Sequence, residues 1–227
     1  MCGLIFVRDE HLAPNFDSIK HLIDHRGLTE YRNMVKHVGS LSYHSTLPLS
    51  YDREPFRQPH VDGEVLKMFV GEIFNYKDIQ KYDNHSDSEF LFKEFSEDRI
   101  HEYDGFWSFL TYDGTDLIAY TDYLAQKPLY YRTDMEAIAS EPKVLAELAE
   151  TTSDEIFLAN SIKWGYSPDC RTPWNEIKQI PPGCKYVNGD IIKYWDWDKV
   201  EHEPNLAKTL SKATNDRVIA QRPVGLL

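Results

Sequence analysis

The chain has 227 residues, enough for one large domain or for one domain with a tail, and 41% of them are hydrophobic. Its formal net charge is -12 and its basic residues form no cluster, which excludes a typical nucleic-acid binder. No apolar run reaches the length of a membrane span, and the start lacks the basic region of a signal peptide.

Aromatic and β-branched runs outnumber helical patterns, which favours a strand-rich α+β protein. In the first half of the chain we predict strands at 2–7, 37–43 and 64–70, and helices at 15–25 and 87–96. A Pro-rich connection at 47–60 is too long for a tight hairpin, and connections of this length are often functional.

The second half continues the sheet and then changes character after Glu150. We predict strands at Gly105–Tyr112, 116–122, 129–132 and Ala137–Ala139, a helix at 142–150, a helical or loop region at 151–166, a hairpin of 185–187 with 191–194, a helix at 205–221, and the start of a buried strand at 224–227. The turn Asp113-Gly114-Thr115 joins the first two of these strands as a hairpin.

Cys2 directly follows the initiator methionine and becomes the amino-terminal residue when Met1 is removed. A thiol needs a base before it can act as a nucleophile. The α-amine of an amino-terminal cysteine can serve as that base, because its ordinary pKa is about 7.7–8.0. Taken alone, Cys2 also fits a small buried residue of the first strand, and the rest of the sequence decides between these interpretations.

Ordered motifs along the whole chain resemble the amino-terminal glutaminase domain of the asparagine synthetase family, a class II glutamine amidotransferase. The matching segments are Met1-Cys2-Gly3-Leu4-Ile5-Phe6, His25-Arg26-Gly27, Val70-Gly71-Glu72-Ile73-Phe74-Asn75, Ser86-Asp87-Ser88-Glu89, 104–109, 127–131, 139–143, 181–183 and 194–195. Each segment is weak evidence by itself, but their order and spacing make a chance match implausible.

The resemblance implies an N-terminal-nucleophile hydrolase fold, a four-layer αββα sandwich with antiparallel sheets. It also implies that Cys2 attacks the side-chain amide of glutamine and that the backbone N–H of Gly71 stabilises the oxyanion. Asp87 is expected to pair with the α-ammonium of the substrate, and Glu72 to help the same subsite. A plain helix N-cap is the alternative for Asp87. His25 and Arg26 are expected to be structural.

Two positions of the substrate site differ from the family pattern. Val70 stands where the family has an oxyanion-hole Asn, and the loss of one such donor typically lowers turnover by about 10²–10³. Thr46 stands where the family has the Arg that binds the α-carboxylate, or Gly39 or Ser40 in a second alignment. A hydroxyl does not replace a bidentate guanidinium. The arginines that we consider as substitutes are Arg26, Arg32, Arg53 and Arg57.

The sequence predicts a glutamine amidotransferase domain at 1–200, followed at 201–227 by a helix and the first strand of an ATP-pyrophosphatase synthetase domain. We expect ATP and Mg²⁺ only in that synthetase partner, and a homodimer is also considered. The three cysteines, Cys2, Cys170 and Cys184, have no metal-ligand spacing. We therefore expect no metal site or disulfide in this chain, and a cytoplasmic location.

Three functions follow from these residues. The first is glutamine hydrolysis that supplies ammonia to a synthetase, with aspartate as acceptor and asparagine as product. The second is a non-catalytic subunit that docks on or regulates a synthetase, which the substitutions at Val70 and Thr46 favour. The third is hydrolysis of a different small amide in a pocket altered at the same two positions.

Overall fold

The computed structural model describes residues 2–48, 56–199 and 205–218. They form two six-stranded sheets in which every pair of neighbouring strands is antiparallel. The first sheet has the order β10 (Ile177–Gln179), β8 (Tyr130–Arg132), β9 (Ala137–Ala139), β1 (Gly3–Val7), β3 (Ser40–Ser45) and β2 (Arg32–His37). The second has the order β12 (Asp190–Lys193), β11 (Cys184–Val187), β7 (Leu117–Thr121), β6 (Gly105–Tyr112), β5 (Val65–Ile73) and β4 (His60–Asp62).

The helices are short. The α-helices are α1 (Phe16–Ile19), α2 (Tyr76–Ile79), α3 (Asp87–Glu94), α4 (Pro142–Ala146), α5 (Glu155–Trp164) and α6 (Leu206–Asp216). The 3-10 helices are Glu10–Leu12, Lys20–Arg26, Thr29–Tyr31, Glu97–Glu102 and Trp197–Lys199. Within the described ranges, no helix combines the length and the apolar character that crossing a membrane requires.

The side chains of β1 show how the layers form, because alternate residues of a strand face opposite sides of a sheet. Leu4 and Phe6 pack between the two sheets. Ile5 and Val7 pack on the outer face of the first sheet, together with side chains of α1 and α4. A third cluster joins the outer face of the second sheet to α3, through aromatic residues such as Phe90. The predicted four-layer αββα sandwich is confirmed.

The largest correction concerns the predicted strand at 37–43, which spans a hairpin. Strand β2 ends at His37, β3 begins at Ser40, and the turn between them places Val38 and Gly39 at positive φ angles of 48° and 74°. A strand prediction fails there because Val38 is a β-branched residue in a conformation that such residues rarely adopt. Neither β2 nor the short strands β4 and β10 were predicted.

Helix lengths also differ from the prediction. The segment 15–25 is α-helical only at Phe16–Ile19 and continues as a 3-10 helix. The predicted helix at 142–150 ends at Ala146, and the one at 205–221 ends at Asp216. The region at 151–166 contains helix α5. The predicted strand at 224–227 lies outside the described residues.

Candidate active site

Cys2 lies immediately before β1, at one end of the layer between the sheets. Its side chain is partly buried against the core formed by Leu4 and its neighbours. The Sγ atom accepts a hydrogen bond from the backbone N–H of Leu47 at 3.3 Å. Burial raises the pKa of the Cys2 thiol above its ordinary value, while the Leu47 N–H acts in the opposite direction. The contact with Leu47 therefore holds the sulfur and favours its thiolate form.

The His25-Arg26-Gly27 motif holds the backbone of Cys2. Arg26 Nη1 donates to the carbonyl oxygen of Cys2 at 3.1 Å, and Arg26 Nε donates to Glu141 Oε1 at 2.7 Å. His25 Nε2 lies 2.9 Å from the same carboxylate oxygen. Gly3 leaves room for Arg26, because a Cβ at this position would lie 2.6 Å from Arg26 Cδ. These contacts match the expected structural role of His25 and Arg26.

Gly71 lies on β5 where its backbone leaves no space for a side chain. Its φ of 131° is a conformation that favours glycine. A Cβ at this position would lie 2.0 Å from the carbonyl oxygen of Phe106 and 2.6 Å from the Cα of Trp107, its partner on β6. The close approach of β5 and β6 therefore requires glycine at 71.

The N–H groups of β5 alternate in direction, and their partners indicate where the N–H of Gly71 points. Phe69 N donates to Gln58 Oε1 at 2.6 Å, and Ile73 N donates to Asp87 Oδ2 at 3.1 Å, so both point away from β6. Because direction repeats every second residue in a strand, the N–H of Gly71 points to this same side. That side carries Asp87, one of the predicted substrate residues.

Asp87 is the first residue of α3 but not its cap. Ser86 is the N-cap, with its hydroxyl accepting from Glu89 N at 3.1 Å, so the plain N-cap interpretation of Asp87 is wrong. The Asp87 carboxylate accepts instead from Ile73 N and from Ser88 N, the latter at 2.7 Å. Burial raises the pKa of Asp87 to about 6, although both N–H groups oppose the shift. These bonds tie α3 to the end of β5.

Glu72 is the second acidic group of the cluster, and its side chain is partly buried. Burial, and next the negative charge of Asp87, raise the pKa of Glu72 to about 7, while the positive charge of Lys127 lowers it. The charge of Asp87 also raises the pKa of Cys2. These interactions bring the predicted residues Cys2, Glu72 and Asp87 into one electrostatic cluster.

Thr46 follows the end of β3 and its side chain is buried. Its Oγ1 lies 2.7 Å from His44 Nδ1, while His44 Nε2 lies 2.9 Å from the carbonyl oxygen of Phe69. Burial lowers the pKa of His44 to about 4, so the ring is neutral at pH 7. A carbonyl can only accept, so Nε2 carries the proton and the Thr46 hydroxyl donates to Nδ1. Its one proton is thus committed to His44.

Val70 contributes no polar atom to the site. It pairs with Ser108 across β5 and β6 and is 2% exposed. Its side chain packs between the sheets with Leu4 and Leu110. The position that carries Asn in the family is therefore part of the hydrophobic core in this chain.

Two residues near the site had not been assigned a role from the sequence. His44 was detectable as a titratable side chain in a strand of otherwise small or apolar residues. Lys127 belongs to the matched segment 127–131, and the motif alone assigns it no role. In the part of the chain that the structure describes, no group of three or more His, Cys, Asp or Glu side chains is arranged to hold a metal ion.

Two solved structures share the fold. One is a glutamine phosphoribosylpyrophosphate amidotransferase from B. subtilis complexed with ADP and GMP, with a TM-score of 0.53 and 13% identity over 85% of this chain and 48% of that chain. The other is described as the allosteric regulatory enzyme of purine biosynthesis, with a TM-score of 0.54 and 12% identity over 84% of this chain and 48% of that chain. At these identities the likeness establishes the fold.

Sequence comparison gives a curated relative and a family. A Methanocaldococcus jannaschii protein named as a glutamine-hydrolyzing asparagine synthetase is 32% identical over 125 residues, which is 49% of this chain and 23% of that protein. The chain thus spans about a quarter of that relative's length. The profile of the glutamine amidotransferase domain family matches residues 1–195. With its fold and most of its length matched, the chain belongs to the glutamine amidotransferase domain family.

Proposed function

We propose that the chain hydrolyses glutamine to glutamate and ammonia, with Cys2 as the nucleophile. The observation that carries this proposal is the position of the Cys2 sulfur. It is held by the Leu47 N–H at one end of the sandwich, within the electrostatic influence of Asp87. Removal of Met1 exposes the α-amine of Cys2, which takes the thiol proton as the sulfur attacks the side-chain carbon of glutamine.

The reaction then proceeds through a thioester. The new S–C bond forms a tetrahedral intermediate whose oxyanion is stabilised by the backbone N–H of Gly71. The α-ammonium returns its proton to the leaving nitrogen, the C–N bond breaks and ammonia departs. Water next attacks the thioester carbon, the C–S bond breaks, and the thiol regains a proton as glutamate leaves.

Glu72 and Asp87 are proposed to bind the α-ammonium group of glutamine. Both carboxyl groups have pKa values raised toward neutrality, to about 7 and about 6. A substrate cation stabilises their ionised forms, because an opposite charge nearby lowers the pKa of a carboxyl group. Asp87 also lies where α3 meets the end of β5, on the side to which the N–H of Gly71 points, and its charge acts on Glu72.

The ammonia is proposed to pass to an ATP-dependent synthetase domain or subunit that converts aspartate to asparagine. The relative named as a glutamine-hydrolyzing asparagine synthetase supports this acceptor. ATP and Mg²⁺ would then bind to the synthetase, not to this chain. We expect the reaction to take place in the cytoplasm, where the thiol of Cys2 stays reduced.

The test is glutamate release by purified protein whose amino-terminal cysteine has been verified by mass spectrometry. We expect turnover by this protein, alone or with the synthetase, and no turnover by Cys2→Ala, which is the matched control. If the processed protein releases no glutamate in either setting, the hydrolysis proposal is wrong.

A second candidate function is a non-catalytic subunit that docks on a synthetase. Two observations favour it, since Val70 lies in the core and the hydroxyl proton of Thr46 is committed to His44. Fast stoichiometric reaction of Cys2 with a glutamine-like electrophile would argue against this candidate. A third candidate, hydrolysis of another small amide, is distinguished by comparing turnover of glutamine with that of shorter or uncharged amides.

A further inference from the structure

Lys127 is a cation of the site that has no anionic partner among the described residues. Its ammonium lies 4.4 Å from the centroid of the Phe106 ring, and Phe106 is the β6 partner of Glu72. The side chain is partly buried. Within the described ranges its ammonium forms no hydrogen bond and no salt bridge. Partial burial of an ammonium without a paired anion is unfavourable, so an anionic ligand would stabilise it.

The register of the first sheet brings Lys127 level with Cys2. Tyr130 on β8 lies opposite Ala139 on β9, and Ala139 lies opposite Ile5 on β1. Because both pairings are antiparallel, β8 and β1 run in the same direction, and Tyr130 corresponds to Ile5. Lys127 precedes Tyr130 by three residues, just as Cys2 precedes Ile5 by three residues. Lys127 and Cys2 therefore lie at the same end of this sheet.

The loop before Lys127 is fixed by a buried carboxylate. Asp122 Oδ2 accepts from the backbone N–H groups of Trp107 and Gln126, each at 3.0 Å. Asp122 is 2% exposed. Since Trp107 is the strand partner of Gly71, these bonds connect the residue preceding Lys127 to the strand pair that carries the proposed oxyanion donor.

The charges of Lys127 and Asp87 act on the same two groups of the site. The positive charge of Lys127 lowers the pKa of both Glu72 and the Cys2 thiol, whereas the negative charge of Asp87 raises both. The pKa values of the Cys2 thiol and of the Glu72 carboxyl group are thus each lowered by the cation of Lys127 and raised by the anion of Asp87. An α-amino acid carries a positive and a negative group on one carbon, and this charge arrangement complements it.

We propose that Lys127 binds the α-carboxylate of the substrate, in the place of the arginine that the family uses. This inference rests on the proposed glutaminase function. Of the arginines considered from the sequence, Arg26 is bound to Glu141 and to the Cys2 carbonyl, Arg32 is bound to Asp24, and Arg53 lies outside the described residues. The Thr46 hydroxyl donates its proton to the His44 ring. Glu72 and Asp87 take the α-ammonium, and Lys127 takes the other end of the zwitterion.

The experiment compares two electrophiles that both alkylate Cys2. The first, 6-diazo-5-oxo-L-norleucine, carries the α-carboxylate and the α-ammonium of glutamine, whereas iodoacetamide carries neither. We expect Lys127→Met to slow labelling by the first about 10- to 100-fold, the effect of one lost charge-assisted hydrogen bond. Labelling by iodoacetamide should slow much less, because this reagent responds only to the effect of the Lys127 charge on the pKa of the Cys2 thiol. Lys127→Arg keeps the cation and is expected to restore much of the selectivity.

Two results would overturn the assignment. Equal slowing of both electrophiles in Lys127→Met would mean that Lys127 acts on the thiol and not on the carboxylate. Unchanged labelling by both would mean that it acts on neither. Far-UV circular dichroism and a urea midpoint close to that of wild type show that the Lys127→Met variant is folded, and peptide mass spectrometry assigns the labelling to Cys2. Glutamate release by the unaltered protein is measured separately, so a lack of turnover with intact labelling selectivity refutes hydrolysis alone.

Discussion

Replacing Glu72 by Gln is expected to stabilise the ligand-free protein at alkaline pH and to change its stability little in acid. Burial, and next the charge of Asp87, raise the pKa of Glu72 from 4.5 to about 7 in the folded chain. The folded state therefore keeps a proton that the unfolded chain has already lost. The free energy of unfolding of the wild type therefore falls as the pH rises from about 4.5 to about 7, and it levels off above about pH 7.

The magnitude follows from the difference between the two pKa values. A difference of about 2.5 corresponds to roughly 3.4 kcal/mol at about 1.36 kcal/mol per pKa unit. Because the Glu72 side chain is only partly buried, solvent screening reduces this to about 1–2 kcal/mol. Gln has nearly the same shape and does not ionise, so the variant should gain this amount above about pH 7 and nothing below about pH 4.5.

Urea unfolding of both proteins at about pH 5 and about pH 8 measures the effect. Glu64→Gln, at an exposed turn between β4 and β5, is the matched control and should change stability by less than about 0.5 kcal/mol at either pH. An equal difference between Glu72→Gln and wild type at both values would contradict the argument. So would a variant that is less stable than wild type at the higher pH.

Three further substitutions test the geometry. Gly71→Ala places a Cβ 2.0 Å from the Phe106 carbonyl oxygen at a φ of 131°, so urea unfolding should show a loss above about 3 kcal/mol, and near-wild-type stability would contradict the close approach of the strands. Val70→Asn adds an amide donor, so the rate of glutamate release should rise about tenfold or more. Because the amide is placed in the core, the free energy of unfolding should fall by about 1–3 kcal/mol. Unchanged turnover would show that this donor does not limit the rate. Thr46→Val leaves His44 Nδ1 without its hydrogen-bond donor, so the free energy of unfolding should fall by about 1–3 kcal/mol. The KM for glutamine should stay unchanged, and a tenfold higher KM would indicate that Thr46 contacts the substrate.

The strands with strong local signals could be predicted from the sequence, and those that depend on the sheet could not. Gly105–Tyr112 was predicted to the residue, because an apolar run ends there at an Asp-Gly turn. Strand β2 was missed because it lies at the edge of its sheet, with side chains that are only partly buried or exposed. Its pairing with β3 provides the stability that its polar composition does not predict.

The site was predicted in part because motifs specify which residues are present but not which contacts they already make. Cys2, Glu72 and Asp87 were expected to lie together, and the structure brings them together. The commitment of the Thr46 hydroxyl to His44 was not predictable, since it depends on a carbonyl of β5, a strand of the other sheet. Lys127 belongs to a matched motif, but only the strand register places it at the same end of the first sheet as Cys2.

The raised pKa values of Glu72 and Asp87 also provide a test that distinguishes glutamine from other small amides as the proposed substrate. In the ligand-free protein these groups ionise at about 7 and about 6, so full ionisation opposes folding near neutral pH. An α-ammonium bound between them lowers both pKa values, and binding then releases protons. The affinity of the Cys2→Ala variant for glutamine, measured by calorimetry, should therefore rise as the pH increases from about 6 to about 7. An amide without an ammonium group gains nothing from the ionised carboxylates, and its affinity should stay constant or fall over the same interval. If glutamine behaved like the uncharged amide, the two carboxyl groups would not form an ammonium subsite.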